Sequence, residues 1–161
     1  EEDERAHRRH RLEEEVALAV GERLGDRRRV DVVGVVDALL LPQGNIRQLT
    51  CLLVSACADC ASAGGGLKFS DPDRLAEALL ARVDDSQNDV RVEALNALAA
   101  VQGMLAASGQ GPGGCGSCSA GVLAGIERRV GELVQDGGEV DEVSEAASAL
   151  ADVLATRRLR Q

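Results

Sequence analysis

Aromatic side chains are almost missing from this chain, which has one Phe, no Trp and no Tyr. Their absence removes the platforms on which single-stranded nucleic acid stacks and most of the usual anchors of protein interfaces. Lysine is nearly absent too, Lys68 being the only one, and with the abundant Ala, Gly and Arg this reads as genome composition. Positive charge is in the minority. Against 27 Asp and Glu stand 18 Lys and Arg, a formal net charge of −9. Such a surface repels phosphate backbones and anionic membranes, so neither nucleic acid nor membrane is an expected partner. No apolar run approaches the ~20 residues that span a bilayer, because Asp37 and Asp59 interrupt the best stretches. Nothing at the start resembles a signal peptide, Glu1 to Arg11 being charged throughout. Five cysteines are an odd count, and without a leader they read as reduced thiols in a cytoplasmic protein. With no Met at Glu1, the chain is expected to be a piece of a longer protein. Its 161 residues suffice for one domain, 1–161.

What is present is helical periodicity. Leu75, Leu79 and Val83 recur at i, i+4 and i+8, and Val90, Ala94, Leu98, Val101 and Leu105 form a longer stripe. These predict a helix from Pro72 and a second running on to Leu105, joined by the acidic turn Asp84-Asp85-Ser86-Gln87-Asn88. Pro72 suits a first helical turn, where its missing N–H is not needed, and Asn88 or Asp89 is placed to cap the second helix. A stripe at Leu12, Val16, Ala19, Val20 and Leu24 predicts a leading helix. Val30–Leu41 reads as another, since Asp31, Gly34 and Asp37 give it a thin polar edge and a strand there finds no partner. After a turn at Pro42–Asn45, with Asn45 as a possible cap, Ile46, Leu49, Leu53, Ala56, Cys57 and Cys60 share a stripe, which Gly64-Gly65-Gly66 ends. Phe69 reads as a plug between helix ends. Ala106 to Gly116 is glycine-rich and reads as a mobile surface loop. Val122, Ile126, Val130 and Leu133 mark the next helix, and Val143, Ala147, Leu150 and Leu154 the last.

No such helix can bury its stripe alone, and the pattern repeats. Asp89–Val101 laid over Asp141–Val153 at an offset of 52 agrees at seven of thirteen positions, Glu93 falling on Glu145 and Leu98 on Leu150. Ile46-Arg47 falls on Val90-Arg91 at an offset of 44. About seven helices, three pairs and a leading half-pair, fit an all-α solenoid of the HEAT/armadillo kind, whose repeats run to about 40–47 residues.

The turn narrows the type. Asp85 followed by Val90-Arg91 resembles the HEAT-repeat signature, in which a turn Asp precedes Val-Arg on the second helix of the pair. The Asp accepts hydrogen bonds at a helix start, the Val faces the core, and the Arg can reach a neighbouring turn. The match is good over Pro72–Val101 and partial elsewhere: Glu142-Val143 replaces Val-Arg in the last unit, and Pro42-Gln43-Gly44 stands where the first would carry its acid. Leu79 to Arg91 is similar to the C-terminal repeats of the HEAT-repeat dynein axonemal assembly factors. That resemblance implies a non-enzymatic, chaperone-like scaffold in the cytoplasm that helps build dynein arms for the cilium, with dynein chains or other assembly factors as partners. A generic HEAT-repeat regulatory or transport scaffold is the alternative. Solenoids bind along concave faces lined by second helices. The exposed positions there make Arg47, Arg91, Glu93, Asn96, Glu145 and Ser148 the candidate protein-binding residues.

Enzyme chemistry finds little footing. Cys57-Ala-Asp-Cys60 and Cys115-Gly-Ser-Cys118 have the ligand types of a zinc site but lie 54 residues apart, beyond the spacing of a zinc ribbon. Cys57 and Cys60 also fall on an apolar stripe, where thiols pack as small hydrophobes. A redox pair at Cys115 and Cys118 in an exposed loop is the other option. His7 and His10 have no third ligand nearby, and Arg8, Arg9, Arg11 and Arg27-Arg28-Arg29 read as solvated charge. No nucleophile sits beside a base, and Gly111-Pro112-Gly113-Gly114 lacks the Lys-Ser/Thr of a phosphate loop. The expectation is no cofactor, no metal and no catalysis.

Overall fold

The computed structural model describes residues 29–65, 68–108, 118–136 and 140–159. The predicted leading helix at Leu12–Leu24, His7, His10 and Cys115 lie outside them. Asp31 opens the first helix by accepting a hydrogen bond from the Val33 N–H at 3.0 Å, so α1 spans Val32–Leu39. Helix α2 spans Gly44–Cys60 and ends in a π-helical turn, Ala61–Gly65. Asp71 caps α3, Pro72–Arg82, by accepting from the Arg74 N–H at 3.0 Å, with Pro72 in the first turn as predicted. Helix α4 spans Asn88–Ser108, α5 Ala120–Gln135 and α6 Asp141–Arg158. The protein is all-α, with six helices among the described residues.

Several boundaries correct the sequence reading. A helix from Val30 is too long at both ends. Arg29–Val30 instead forms a two-residue strand, β1, parallel to β2 at Lys68–Phe69, with Arg29 opposite Lys68 and Val30 opposite Phe69. Strand pairing had been set aside for want of a partner; the partner arrives in the stretch before α3. There Ser70 fastens the crossing, its N–H donating to the Val30 carbonyl and its hydroxyl accepting from the Val32 N–H, both at 3.0 Å. Phe69 is buried at this joint. Asn45 is not a cap, because α2 starts one residue earlier behind Gln43, which makes no side-chain cap bond. Asn88 is the first residue of α4, and the turn is closed earlier, by Asp85. The predicted loop from Ala106 starts too soon, since α4 runs on to Ser108.

The helices form two layers. In one, α1 packs on α3 and α3 on α5; in the other, α2 packs on α4 and α4 on α6. Within each consecutive pair, α1 touches α2, α3 touches α4, and α5 touches α6. Helix α4 therefore has neighbours on three sides, and Val90, Ala94, Leu95, Ala97, Leu98 and Val101 are all fully buried. A helix covered on most of its circumference must be apolar over most of it. The stripes read for α3, α4, α5 and α6 are the buried ones, apart from a half-buried Val122.

The stripe read for α2 is wrong by about one residue. Leu49 is 46% exposed, while Arg47, Thr50, Cys51, Val54, Cys57 and Ala58 face inward. An arginine at the head of the true stripe disguises it. The cause is an ion pair that lets that arginine be buried.

Candidate functional site

The acidic turn between α3 and α4 ties three helical pairs together. Asp85 points back toward α2. Arg47 Nε donates to its Oδ2 at 2.8 Å and Arg47 Nη2 to its Oδ1 at 2.9 Å, a bidentate pair. Only 9% of the Arg47 side chain and 2% of the Asp85 side chain are exposed. Asp85 also accepts from the Gln87 N–H at 3.1 Å and has Arg82 Nη1 at 3.5 Å. Burial pushes its carboxyl pKa up, but the hydrogen bonds from Arg47 and Gln87 and the charges of Arg47 and Arg82 outweigh that and hold it below the usual value. Asp84 points forward instead, to Arg129 of α5, whose Nε donates to Asp84 Oδ1 at 3.0 Å.

Arg47 and Arg91 do the same second job one pair apart. Arg47 Nη1 donates to the carbonyls of Leu41 and Pro42, at 2.8 and 2.7 Å, just past α1. Arg91 Nε donates to the Val83 carbonyl, at 2.9 Å, just past α3. Each cation thus satisfies carbonyls at the C-terminal end of the first helix of its pair, where the helix dipole favours positive charge. The Val90-Arg91 signature is therefore structural on both counts, with Val90 buried and Arg91 folded over its own turn.

The candidate binding residues separate into two groups. Arg47 was expected on an exposed position and is instead buried in the pair with Asp85; its long stem packs while its fork is saturated. Arg91 is half-buried over its own turn, and Ser148 is exposed with its hydroxyl turned back to the Ser144 carbonyl at 2.9 Å. Glu93, Asn96 and Glu145, by contrast, come together. They line a groove of about 490 Å³ between α4 and α6, with Gln48 of α2 at its edge. Val92 and Ala146 lie in its lining, Asp89 and Glu142 add two further carboxylates, and no cation stands among the described residues that line it. Glu93 was expected to be exposed and is 6% exposed, lying at the bottom of the groove with Asn96 Nδ2 at 3.5 Å from its Oε2. The match of Glu93 with Glu145 in the repeat alignment is what places a carboxylate on each wall.

The thiols are held away from reaction. Burial, with Glu93 next in weight, pushes the Cys51 pKa up to about 12, and burial pushes Cys57 up to about 11. Cys118 was expected in an exposed loop and is buried. Desolvation raises its pKa too, although Gln102 Nε2 donates to its Sγ at 3.4 Å. Nucleophilic thiol chemistry needs the thiolate, so none of these three suits it. Among the described residues no three His, Cys, Asp or Glu side chains form a group that could hold a metal ion. No helix among them is long and apolar enough to cross a membrane. Compared with family models, with curated proteins and with solved structures, the chain matches none.

The sequence reading missed a polar chain in the core. Gln102 of α4 is fully buried and ties α6 to the segment before α5, its Oε1 accepting from Arg157 Nη1 while its amide donates to Cys118. Arg157, in the last turn of α6 where a cation suits the helix dipole, is only 7% exposed. Gln102 interrupts the apolar run between Val101 and Leu105, and that interruption was the available signal.

Proposed function

We propose that this chain is a non-enzymatic, protein-binding scaffold built as an α-solenoid of HEAT/armadillo-like pairs. The groove on the α2–α4–α6 layer carries this reading. Gln48, Glu93 and Glu145 come from the second helices of three consecutive pairs and open onto one surface, the arrangement by which stacked pairs make extended binding faces. Two further facts support it: first helices pack on first helices and second on second, and Arg47 of one pair is locked to Asp85 of the next. The narrower reading, cytoplasmic assembly of axonemal dynein, rests on the turn sequence around Leu79–Arg91.

The test is site-directed photocrosslinking in ciliated cells. A photoreactive residue at Asn96 or Glu145 is expected to capture one recurrent set of proteins, and the same residue at Glu77, exposed on α3 in the other layer, is expected to capture none of them. Equal capture at both positions would sink the scaffold face. A recurrent set containing dynein chains or their assembly factors would support the narrower reading, and a set without them would leave a generic scaffold.

A further inference from the structure

Further along the same two helices a second hollow, of about 310 Å³, is lined by Gly103 and Ala106 of α4 and by Asp152, Val153, Thr156 and Arg157 of α6, its one acid and one base cancelling. Val92, Asn96, Gly103 and Ala106 stand at i, i+4, i+11 and i+14, one face of α4. Glu142, Glu145, Ala149, Val153 and Thr156 form the facing stripe on α6. The N-terminal turns of the two helices lie together at the first hollow and the C-terminal turns at the second, so α4 and α6 run side by side in the same direction. The hollows lie in line on one face of this helix pair, within the about 30 Å of a 21-residue helix, and are taken together as one furrow.

We infer that this furrow receives a single α-helix of a partner protein, basic over the turns that lie against Asp89, Glu93, Glu142 and Glu145 and without net charge over the turns that lie against Gly103, Ala106 and Val153. The inference rests on the scaffold reading and adds the partner's chemistry. Charge selects a basic helix. Four carboxylates and no cation stand among the described residues that line the first hollow, Asp89, Glu142 and Glu145 carrying the charge at its mouth, while two helix N-termini contribute only about +0.5 each. Backbone chemistry selects a helix over an extended strand. The walls are helices, whose own N–H and C=O groups are paired along their middle turns, so a strand would find few partners for its backbone there. A helix arrives with its backbone satisfied. Size agrees: a Cβ on Gly103 would meet nothing within 4 Å, and small side chains along the furrow allow close approach of helix axes.

The experiment is selection from two displayed peptide libraries, one framed as a helix and one extended, against the intact chain. The expected winners come from the helical library and carry net positive charge. Gly103→Phe, which fills the furrow without a backbone clash, is expected to weaken their binding by about a hundredfold. Paired Glu142→Arg and Glu145→Arg substitutions are expected to weaken it by about tenfold, with the loss shrinking as salt rises. Glu77→Arg on the other layer is expected to change nothing. Circular dichroism and thermal melting confirm that each variant is folded. Winners that are acidic, extended or indifferent to Gly103→Phe would overturn the inference and leave the scaffold reading standing. No binder from either library would overturn both.

Discussion

Asp84 and Asp85 are chain neighbours in one turn, yet they clamp different pairs by different physics. Asp85 reaches back to Arg47 of α2, with both side chains almost wholly buried. Asp84 reaches forward to Arg129 of α5, with 57% and 30% of the two side chains exposed. In water the attraction of an exposed pair is nearly cancelled by screening and by the entropy of holding two long side chains still. In a buried pair the attraction is large, but so is the cost of leaving either partner alone. The two aspartates should therefore differ several-fold in what their removal does, although each makes contact with an arginine across a junction.

The largest effect is expected at the buried pair. Asp85→Ala leaves Arg47 Nε and Nη2 and the Gln87 N–H without their acceptor and the buried cation without its counter-charge, and should cost about 3–5 kcal/mol, read by urea denaturation. Arg47→Ala should cost a similar amount, because it also frees the Leu41 and Pro42 carbonyls. The pair is a lock and not a store of stability if Arg47→Met with Asp85→Leu recovers most of the loss. Additive losses in the double variant would contradict the direct pairing.

Acid should open the same lock. The folded pKa of Asp85 lies below its ordinary value of 3.8, so its contribution is present above that value and is lost as pH falls through the lower folded one. The chain is expected to lose stability below about pH 4, and Asp85→Asn, already weakened at neutral pH, should lose less over the same interval. Identical acid limbs in melting curves of the two proteins would show that other carboxylates dominate.

Next in size, and opposite in sign, is Gly103. It lies in the interior of α4, is exposed, and a Cβ there meets nothing. Gly103→Ala is expected to raise stability by about 1 kcal/mol through helix propensity alone. A fall in melting temperature would mean that something already occupies the furrow in the folded chain.

The contrast between the two aspartates also marks what the sequence could tell. Periodicity identified the buried faces of α3, α4, α5 and α6 because those faces are apolar. It failed on α2, where the inward stripe begins with Arg47, so Leu49 was assigned to the core in its place. The offset that lays Arg47 over Arg91 held the correction, since two cations in equivalent places serving equivalent carbonyls are structural. The bridge of Arg29–Val30 to Lys68–Phe69 could not be read from two-residue segments far apart in the chain. The furrow was legible only by halves. Glu93 and Glu145 stood in register in the repeat, but their facing one another depends on how α4 meets α6, which no single helix encodes.

The smallest effect is expected at Asp84, and it is the one that sharpens the comparison most. Arg129 keeps a second carboxylate, Glu132, at 2.9 Å along its own helix, so removing Asp84 leaves no unpaired charge in a dry place. Asp84→Ala should cost about 0.5 kcal/mol or less, and the difference from the parent chain should vanish in 1 M salt, where charges are screened within about 3 Å. Urea midpoints at low and high salt give the measurement. A loss that survives high salt would mean that this pair acts through packing at the α3–α5 junction, and the forward junction would then be as tightly locked as the backward one. A small, salt-sensitive loss would leave the stack held firmly between its first and second pairs and more loosely in the first-helix layer between its second and third, on whose other face the furrow between α4 and α6 opens. The looser play would then lie between α3 and α5, because the buried hydrogen bond from Arg157 to Gln102 keeps α6 seated on α4 and the walls of the furrow in place.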